Sequence, residues 1–175
     1  MGNIIFILGG LKSGKSSFAV KEAQDLSPRV AFIASGIAFD AEMSKRISTH
    51  QKGRPSSWDT FEEPGRIAEL LKTKCKNYPV IIIDCLTLLI NNLMMDETTD
   101  DAILSEITNI VHEIDALNGT VIIIANEVGL GIIPDNALAR KFGDLAGIAN
   151  QIVAQKAEEV YLMTAGVPLK IKGDK

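Results

Sequence analysis

Apolar residues in this chain gather into short, nearly unbroken runs: NIIFIL from Asn3, VAFIA from Val30, VIIID from Val80 and TVIIIA from Thr120. A strand with one face in water alternates apolar and polar positions; a run without alternation suits a strand buried on both faces, as in parallel sheets. Between the runs the chain reads as helical, predicting helices over Lys15–Leu26, Asp40–Gln51, Pro64–Lys76, Leu86–Met94, Asp101–Leu117 and Asp135–Glu158. Pro134 suits the start of the last helix, where its missing N–H costs little. Two final runs, EVYLMTA and PLKIKG, flank Gly166-Val167-Pro168 and predict an antiparallel hairpin at one sheet edge. Strands alternating with helices, closed by such an edge, predict a three-layer α/β sandwich. No internal repeat or linker-like stretch interrupts the pattern, so residues 1–175 are expected to form a single domain.

Composition narrows the classes of function. Apolar residues make up 46% of the chain and charged ones 23%, a globular balance able to bury a core. The formal net charge of −4 argues against broad binding to nucleic acid or to anionic membranes, though not against a local basic pocket. Cys75 and Cys85 are too few for a disulfide framework or a zinc site, and two scattered thiols suit a reducing compartment. The start MGNIIFILGG lacks the basic flank and the length of a signal segment. Phe6 breaks the myristoylation pattern, and no run is long enough to span a membrane. The expected location is cytoplasmic.

The chemistry begins after the first run. GGLKSGKS, comprising Gly9, Gly10, Leu11, Lys12, Ser13, Gly14, Lys15 and Ser16, fits G-x-x-x-x-G-K-[ST] between a strand and a helix. Glycines let such a loop turn its backbone N–H groups inward as an anion nest, and the helix N-terminus adds positive partial charge. Lys15 is expected to reach the β- and γ-phosphates of a nucleotide, and Ser16 to hold Mg²⁺ through its hydroxyl. A second metal anchor normally ends another buried strand, and VIIIDC places Asp84 there; the competing reading makes Asp84 an N-cap for the next helix. The guanine reader Asn-Lys-x-Asp is absent from ANEVGLG, Ala125 to Gly131. Asn126 and Glu127 still fall at a strand's C-terminal end, where α/β sheets bind ligands. Arg140 and Lys141 follow in a mixed-charge helix start. A ligand loop and a plain βα loop with a solvated helix face both fit this stretch.

His50 is the ambiguous residue. Met43, Ile47 and His50 share one face of the predicted Asp40–Gln51 helix, and Glu42, Arg46 and His50 form an i, i+4 series. Spacing alone favours a core histidine or a salt-bridge ladder. Lys52, Gly53 and Arg54 then cluster cations and a flexible turn beside the ring. A neutral imidazole so placed can attack phosphorus while neighbouring cations stabilise the phosphoryl oxygens. The other histidine, His112, sits in IVHEIDAL without phosphate-binding context and reads as structural or solvent-facing.

GGLKSGKS, AEMSKRISTHQKGRPSSWDTFEEP, VIIIDCLT and NEVGLGIIPDNALARKFGDLAGIANQ together resemble the bifunctional adenosylcobinamide kinase / adenosylcobinamide-phosphate guanylyltransferase family of cobalamin biosynthesis. The likeness runs in order from Ile4 to about Lys172. It implies a RecA-like P-loop fold that phosphorylates adenosylcobinamide with ATP or GTP. It further implies transfer of GMP from GTP to the new phosphate through a guanylylated histidine, with His50 at that position. By the same likeness, Gly9 to Ser16 hold the triphosphate, with Ser16 and Asp84 near Mg²⁺. Ser35 and Gly36 match a nucleotide-contact region, and Arg54 and Glu62 match residues placed to contact GTP. Glu62 would accept hydrogen bonds from guanine or ribose in place of the missing reader. The family implies a homotrimer with a cleft between subunits, and the corrinoid is expected in an open cleft. Departures are Thr49 where some relatives carry a second histidine, Asp84 where some carry glutamate, and a short acidic link MMDETTDD. A P-loop kinase of another small alcohol, and less closely a nucleotide-dependent switch protein, are the competing readings.

Overall fold

A computed structural model of the chain describes residues 2–38, 41 and 53–173. Its strands are β1 (Asn3–Gly9), β2 (Val30–Ala34), β3 (Asp59–Glu62), β4 (Val80–Asp84), β5 (Thr120–Asn126), β6 (Glu159–Thr164) and β7 (Val167–Lys172). Its helices, numbered in order, are α1 (Lys15–Leu26), α2 (Ile67–Lys74), α3 (Leu86–Met95), α4 (Asp100–Asp115) and α5 (Ala137–Lys156). The strands form one sheet in the order β3-β2-β4-β5-β1-β6-β7. Every neighbouring pair is parallel except the β6–β7 hairpin. The predicted three-layer sandwich with an antiparallel edge is the fold observed.

The unbroken apolar runs are explained by what covers each face. Phe6, Ile33, Ile83 and Ile123 point to one side, where α2, α3, α4 and α5 pack on them through Leu71, Leu89, Ile107 and Val153. Ile7, Phe32, Ile82 and Ile122 point to the other, covered by α1 through Ala19 and Ala23 and by Trp58. Each such side chain taken from water stabilises the fold by about 1.5–3 kcal/mol.

Helix boundaries follow local hydrogen bonding. The predicted helix from Pro64 begins at Ile67, because the Glu63 carboxylate accepts the N–H groups of Gly65 and Arg66 and holds that stretch as a turn. The last helix begins at Ala137 rather than Asp135. Asn136 is its N-cap, accepting from the N–H groups of Leu138 and Ala139, and Pro134 lies upstream. Strand β3 was not predicted; it is short, polar and at the sheet edge, so hydrophobic patterning carries no sign of it. The predicted Asp40–Gln51 helix lies outside the described residues save for Ala41, as does His50.

Candidate active site

Parallel register brings the C-terminal ends of five strands level. Gly9 pairs with Asn126, Asp84 with Ile124, and Ala34 with both Asp84 and Glu62. A cavity of about 400 Å³ opens at these ends, lined by the loop from Leu11 to Ser16 and by Gly36, Arg54, Glu62, Asp84 and Asn126. Residues 50 positions apart in sequence meet there because each ends its own strand or begins the loop after it.

The loop between β1 and α1 has the turn its sequence requires. Gly14 has φ 96°, and a Cβ on it would lie 3.2 Å from Gly166 Cα. Both the conformation and the close approach call for glycine. Gly166 belongs to the β6–β7 turn, where Ala165 and Gly166 both have positive φ, the geometry that matches strand twist in a two-residue hairpin. The Gly166 N–H donates to the Ser13 carbonyl at 3.0 Å, so the hairpin buttresses the phosphate loop.

Lys15 is 8% exposed and donates its ammonium to the carbonyls of Gly9 (2.9 Å) and Gly10 (2.7 Å). Burial lowers its pKa, opposed by Cys85 and Asp84 nearby. The Ser16 hydroxyl donates to Asp84 Oδ2 at 3.0 Å, joining the helix start to the end of β4. Asp84 does not cap α3: that position belongs to Cys85, which makes no side-chain cap. Arg54 lays its guanidinium over the Phe32 ring, 3.5 Å from the centroid. Its Nη1 is buried without a hydrogen-bond partner among the described residues. Burial lowers the Arg54 pKa against the pull of Asp84 and Glu62. A buried cationic donor of this kind, beside a P-loop, suits an anionic ligand.

Other sequence-predicted residues are placed differently. Gly36 lines the cavity, but Ser35 is fully buried beneath it. The Ser35 hydroxyl donates to the Cys85 carbonyl (2.7 Å) and accepts the Cys85 N–H (2.8 Å), clipping the end of β2 to the end of β4. Ser35 does not line the cavity, and its one hydroxyl is engaged in both directions as a backbone clip. Arg140 folds back onto the carbonyls of Pro134 and Asp135, and Lys141 pairs with Asp100 at 2.7 Å. Glu127 accepts the Gly129 N–H within its own loop. Both cysteines are free and buried, and desolvation pushes Cys75 up to about 11 and Cys85 to about 12. Sequence reasoning left Asn126 undecided and missed Phe32 as the platform for Arg54; no short motif signals a stacking partner from another strand.

No cluster of three or more His, Cys, Asp or Glu side chains able to hold a metal occurs among the described residues. A hard cation such as Mg²⁺ does not need one: it is commonly held by one or two protein oxygens together with substrate phosphates. The Ser16 and Asp84 oxygens, 3.0 Å apart at the cavity, are a donor set of that kind.

The sequence profile of the cobinamide kinase / cobinamide phosphate guanyltransferase family matches residues 5–171. The chain belongs to this family. It is 36% identical over 168 residues to the bifunctional adenosylcobalamin biosynthesis protein CobP of Pseudomonas aeruginosa, covering 96% of each chain. It is 35% identical over 181 residues to the bifunctional adenosylcobalamin biosynthesis protein CobU of Escherichia coli, covering 97% of this chain and 99% of that one. The CobU protein of Salmonella typhimurium is 34% identical over 185 residues, with the same coverage. Among solved structures, a KaiC-like protein of Pyrococcus horikoshii superposes with TM-score 0.56 at 15% identity, covering 91% of this chain and 70% of that one. That likeness shows the RecA/KaiC-like P-loop fold, and the family membership rests on the sequence matches. No described helix of this family member is long and apolar enough to cross a membrane.

Proposed function

We propose that the chain works as one nucleotide-binding domain that phosphorylates adenosylcobinamide with ATP or GTP and then transfers GMP from GTP to the product. The observation that carries this reading is the cavity at the strand ends. There a buried Lys15 and the Ser16–Asp84 pair meet Arg54 and Glu62, in a chain matched by the family from residue 5 to 171. Gly9 to Ser16 cradle the triphosphate. Lys15 leaves the carbonyls of Gly9 and Gly10 for the phosphates, and Arg54 supplies the partnerless donor to a phosphoryl oxygen. Glu62 accepts from the base or ribose. Ser16 and Asp84 hold Mg²⁺, which when bound neutralises charge on the phosphates.

In the second step an imidazole nitrogen of His50 attacks the α-phosphorus of GTP. The N–P bond forms, the bond to the bridging oxygen breaks and pyrophosphate leaves with the electron pair. The phosphate of adenosylcobinamide phosphate then attacks the same phosphorus, the N–P bond breaks and the imidazole is regenerated. Two displacements replace one harder one. The same reading, following the family resemblance, puts the reaction in the cytoplasm and in a homotrimer.

GTP labelled separately at the α and γ positions tests this, with Mg²⁺ and no corrinoid. Acid-labile, base-stable protein label from α-GTP alone, lost in His50→Ala, is expected. Absence of α label from folded wild type that still phosphorylates the corrinoid would remove the guanylyl-histidine and leave a kinase.

A further inference from the structure

Asn126 lines the cavity outside the phosphate loop and apart from Arg54, Glu62 and Asp84. Asn126 ends β5, the strand lying between β1, which feeds the phosphate loop, and β4, which carries Asp84. In register it pairs with Gly9, the first residue of that loop. Its backbone is held from three directions. The Asn126 N–H donates to Thr87 Oγ1 at 2.6 Å, its carbonyl receives Asn150 Nδ2 at 3.5 Å, and the next N–H, of Glu127, donates to the Gly9 carbonyl at 3.0 Å. Thr87 and Asn150 are themselves buried. Asn126 lines the cavity, and its side-chain amide makes no hydrogen bond to another described residue. An asparagine with a purely structural task would be expected to use its amide on nearby backbone. Here neighbouring hydroxyl and amide groups secure the backbone, and the Asn126 amide is left without a structural partner among the described residues.

We infer that Asn126 is a catalytic residue of the phosphorylation step, its amide holding the transferring phosphoryl group against the acceptor alcohol. The inference rests on the kinase half of the proposed function. The other polar groups at the site are cationic (Lys12, Lys15, Arg54), acidic (Glu62, Asp84) or hydroxyl-bearing (Ser13, Ser16, Ser17). An amide adds a neutral group that donates through Nδ2 and accepts through Oδ1. Nδ2–H donates to a γ-phosphoryl oxygen, and Oδ1 accepts from the alcohol O–H. The alcohol oxygen forms its bond to γ-phosphorus as the bond to the β,γ-bridging oxygen breaks. The electron pair leaves on the nucleoside diphosphate, and the alcohol's proton passes to an oxygen of the transferred phosphoryl group. Such a contact acts where charge shifts in the transition state, so it should appear in kcat more than in KM.

The test compares the full-length wild type with Asn126→Ala and Asn126→Asp in steady-state phosphorylation of cobinamide by ATP and Mg²⁺. Loss of kcat by roughly 100-fold in Asn126→Ala, with KM for ATP within about threefold, is expected for removal of one transition-state donor. Asn126→Asp keeps the shape but sets a carboxylate against the phosphates, and should lose more. A second readout is independent of turnover. ADP alone should raise the melting temperature equally in wild type and Asn126→Ala, while the extra rise from ADP with aluminium fluoride and cobinamide should be confined to wild type. If wild type phosphorylates cobinamide and both variants keep kcat within threefold, or lose only in KM, the inference is overturned and the proposed function stands. If folded wild type leaves cobinamide unphosphorylated, the proposed kinase activity fails and the inference falls with it.

Discussion

Lys15 shows how a single buried residue is held ready at a cost. Its ammonium is taken from water by the surrounding chain and satisfied by two loop carbonyls, and its pKa is lowered, chiefly by desolvation. The folded state therefore disfavours the charge that phosphate binding needs. Replacing Lys15 with Met should leave the urea unfolding midpoint unchanged or higher, because a buried charge gives way to an apolar chain of similar length. The same variant should lose at least about 100-fold in phosphoryl transfer, since a cation no longer meets the charge developing there. A fall in the midpoint alongside unchanged turnover would contradict both parts. Arg54 is the complementary case. Phe32 supplies a flat surface beneath the guanidinium, so Arg54→Lys keeps the charge and loses the stacking and the fork of donors. Weaker nucleotide binding is expected in that variant, read by titration calorimetry.

At the scale of elements, the hairpin formed by β6 and β7 does more than finish the sheet. Its turn donates the Gly166 N–H to the phosphate loop, and its strands are joined by Glu159, which accepts from Tyr161 Oη at 2.6 Å and lies 2.9 Å from Lys170 Nζ. The Tyr161 hydrogen bond, then Lys170, lowers the Glu159 pKa. A carboxyl with a lowered folded pKa stabilises above its unfolded value, and that stabilisation is lost as pH falls through the folded one. Acidification below the ordinary glutamate range should therefore speed hydrogen exchange at Gly166 before the central strands respond. Glu159→Gln should remove that part of the pH dependence. Glu106 on α4 has the opposite sign. It accepts the Ala68 N–H at 3.0 Å and caps α2, whose own N-cap Arg66 makes no side-chain bond. Desolvation raises its pKa, so its contribution declines as pH rises through the raised value. Glu106→Ala should cost about 1–2 kcal/mol in urea unfolding, the range for a lost helix cap.

Across the whole molecule, the sheet order decides which groups meet. Inserting β5 between β1 and β4 separates the phosphate loop from Asp84 by one strand, and α1 bridges the gap by carrying Ser16 to it. Binding at such a junction stabilises the entire fold, since the cavity exists only when all five strand ends are in register. Mg·ATP at about 100 times its Kd should stabilise the fold by about 2.7 kcal/mol. For a chain of this size that is roughly 5–10 °C in melting temperature. Lys15→Met should show little of that rise in a thermal melt, while an intact core keeps its unliganded melting temperature near wild type.

The apolar strands and the helices between them, save β3 and the stretch around Asp40–Gln51, together with the phosphate loop and Asp84 at a strand end, were readable without coordinates, because each depends on neighbours within a few residues. Unbroken apolar runs report burial on both faces, and GGLKSGKS reports a turn that only its glycines allow. The role expected of His50 came from the resemblance to the family, since local spacing left it open. Tertiary structure decided the remainder. It made Ser35 a clip between the ends of β2 and β4, revealed the polar edge strand β3 that brings Glu62 to the cavity, and set Arg54 on Phe32. It also put Asn126 in the lining of the cavity, with its backbone secured by Thr87. These outcomes depend on strand order and register, which pair residues far apart in sequence, and no local pattern encodes them.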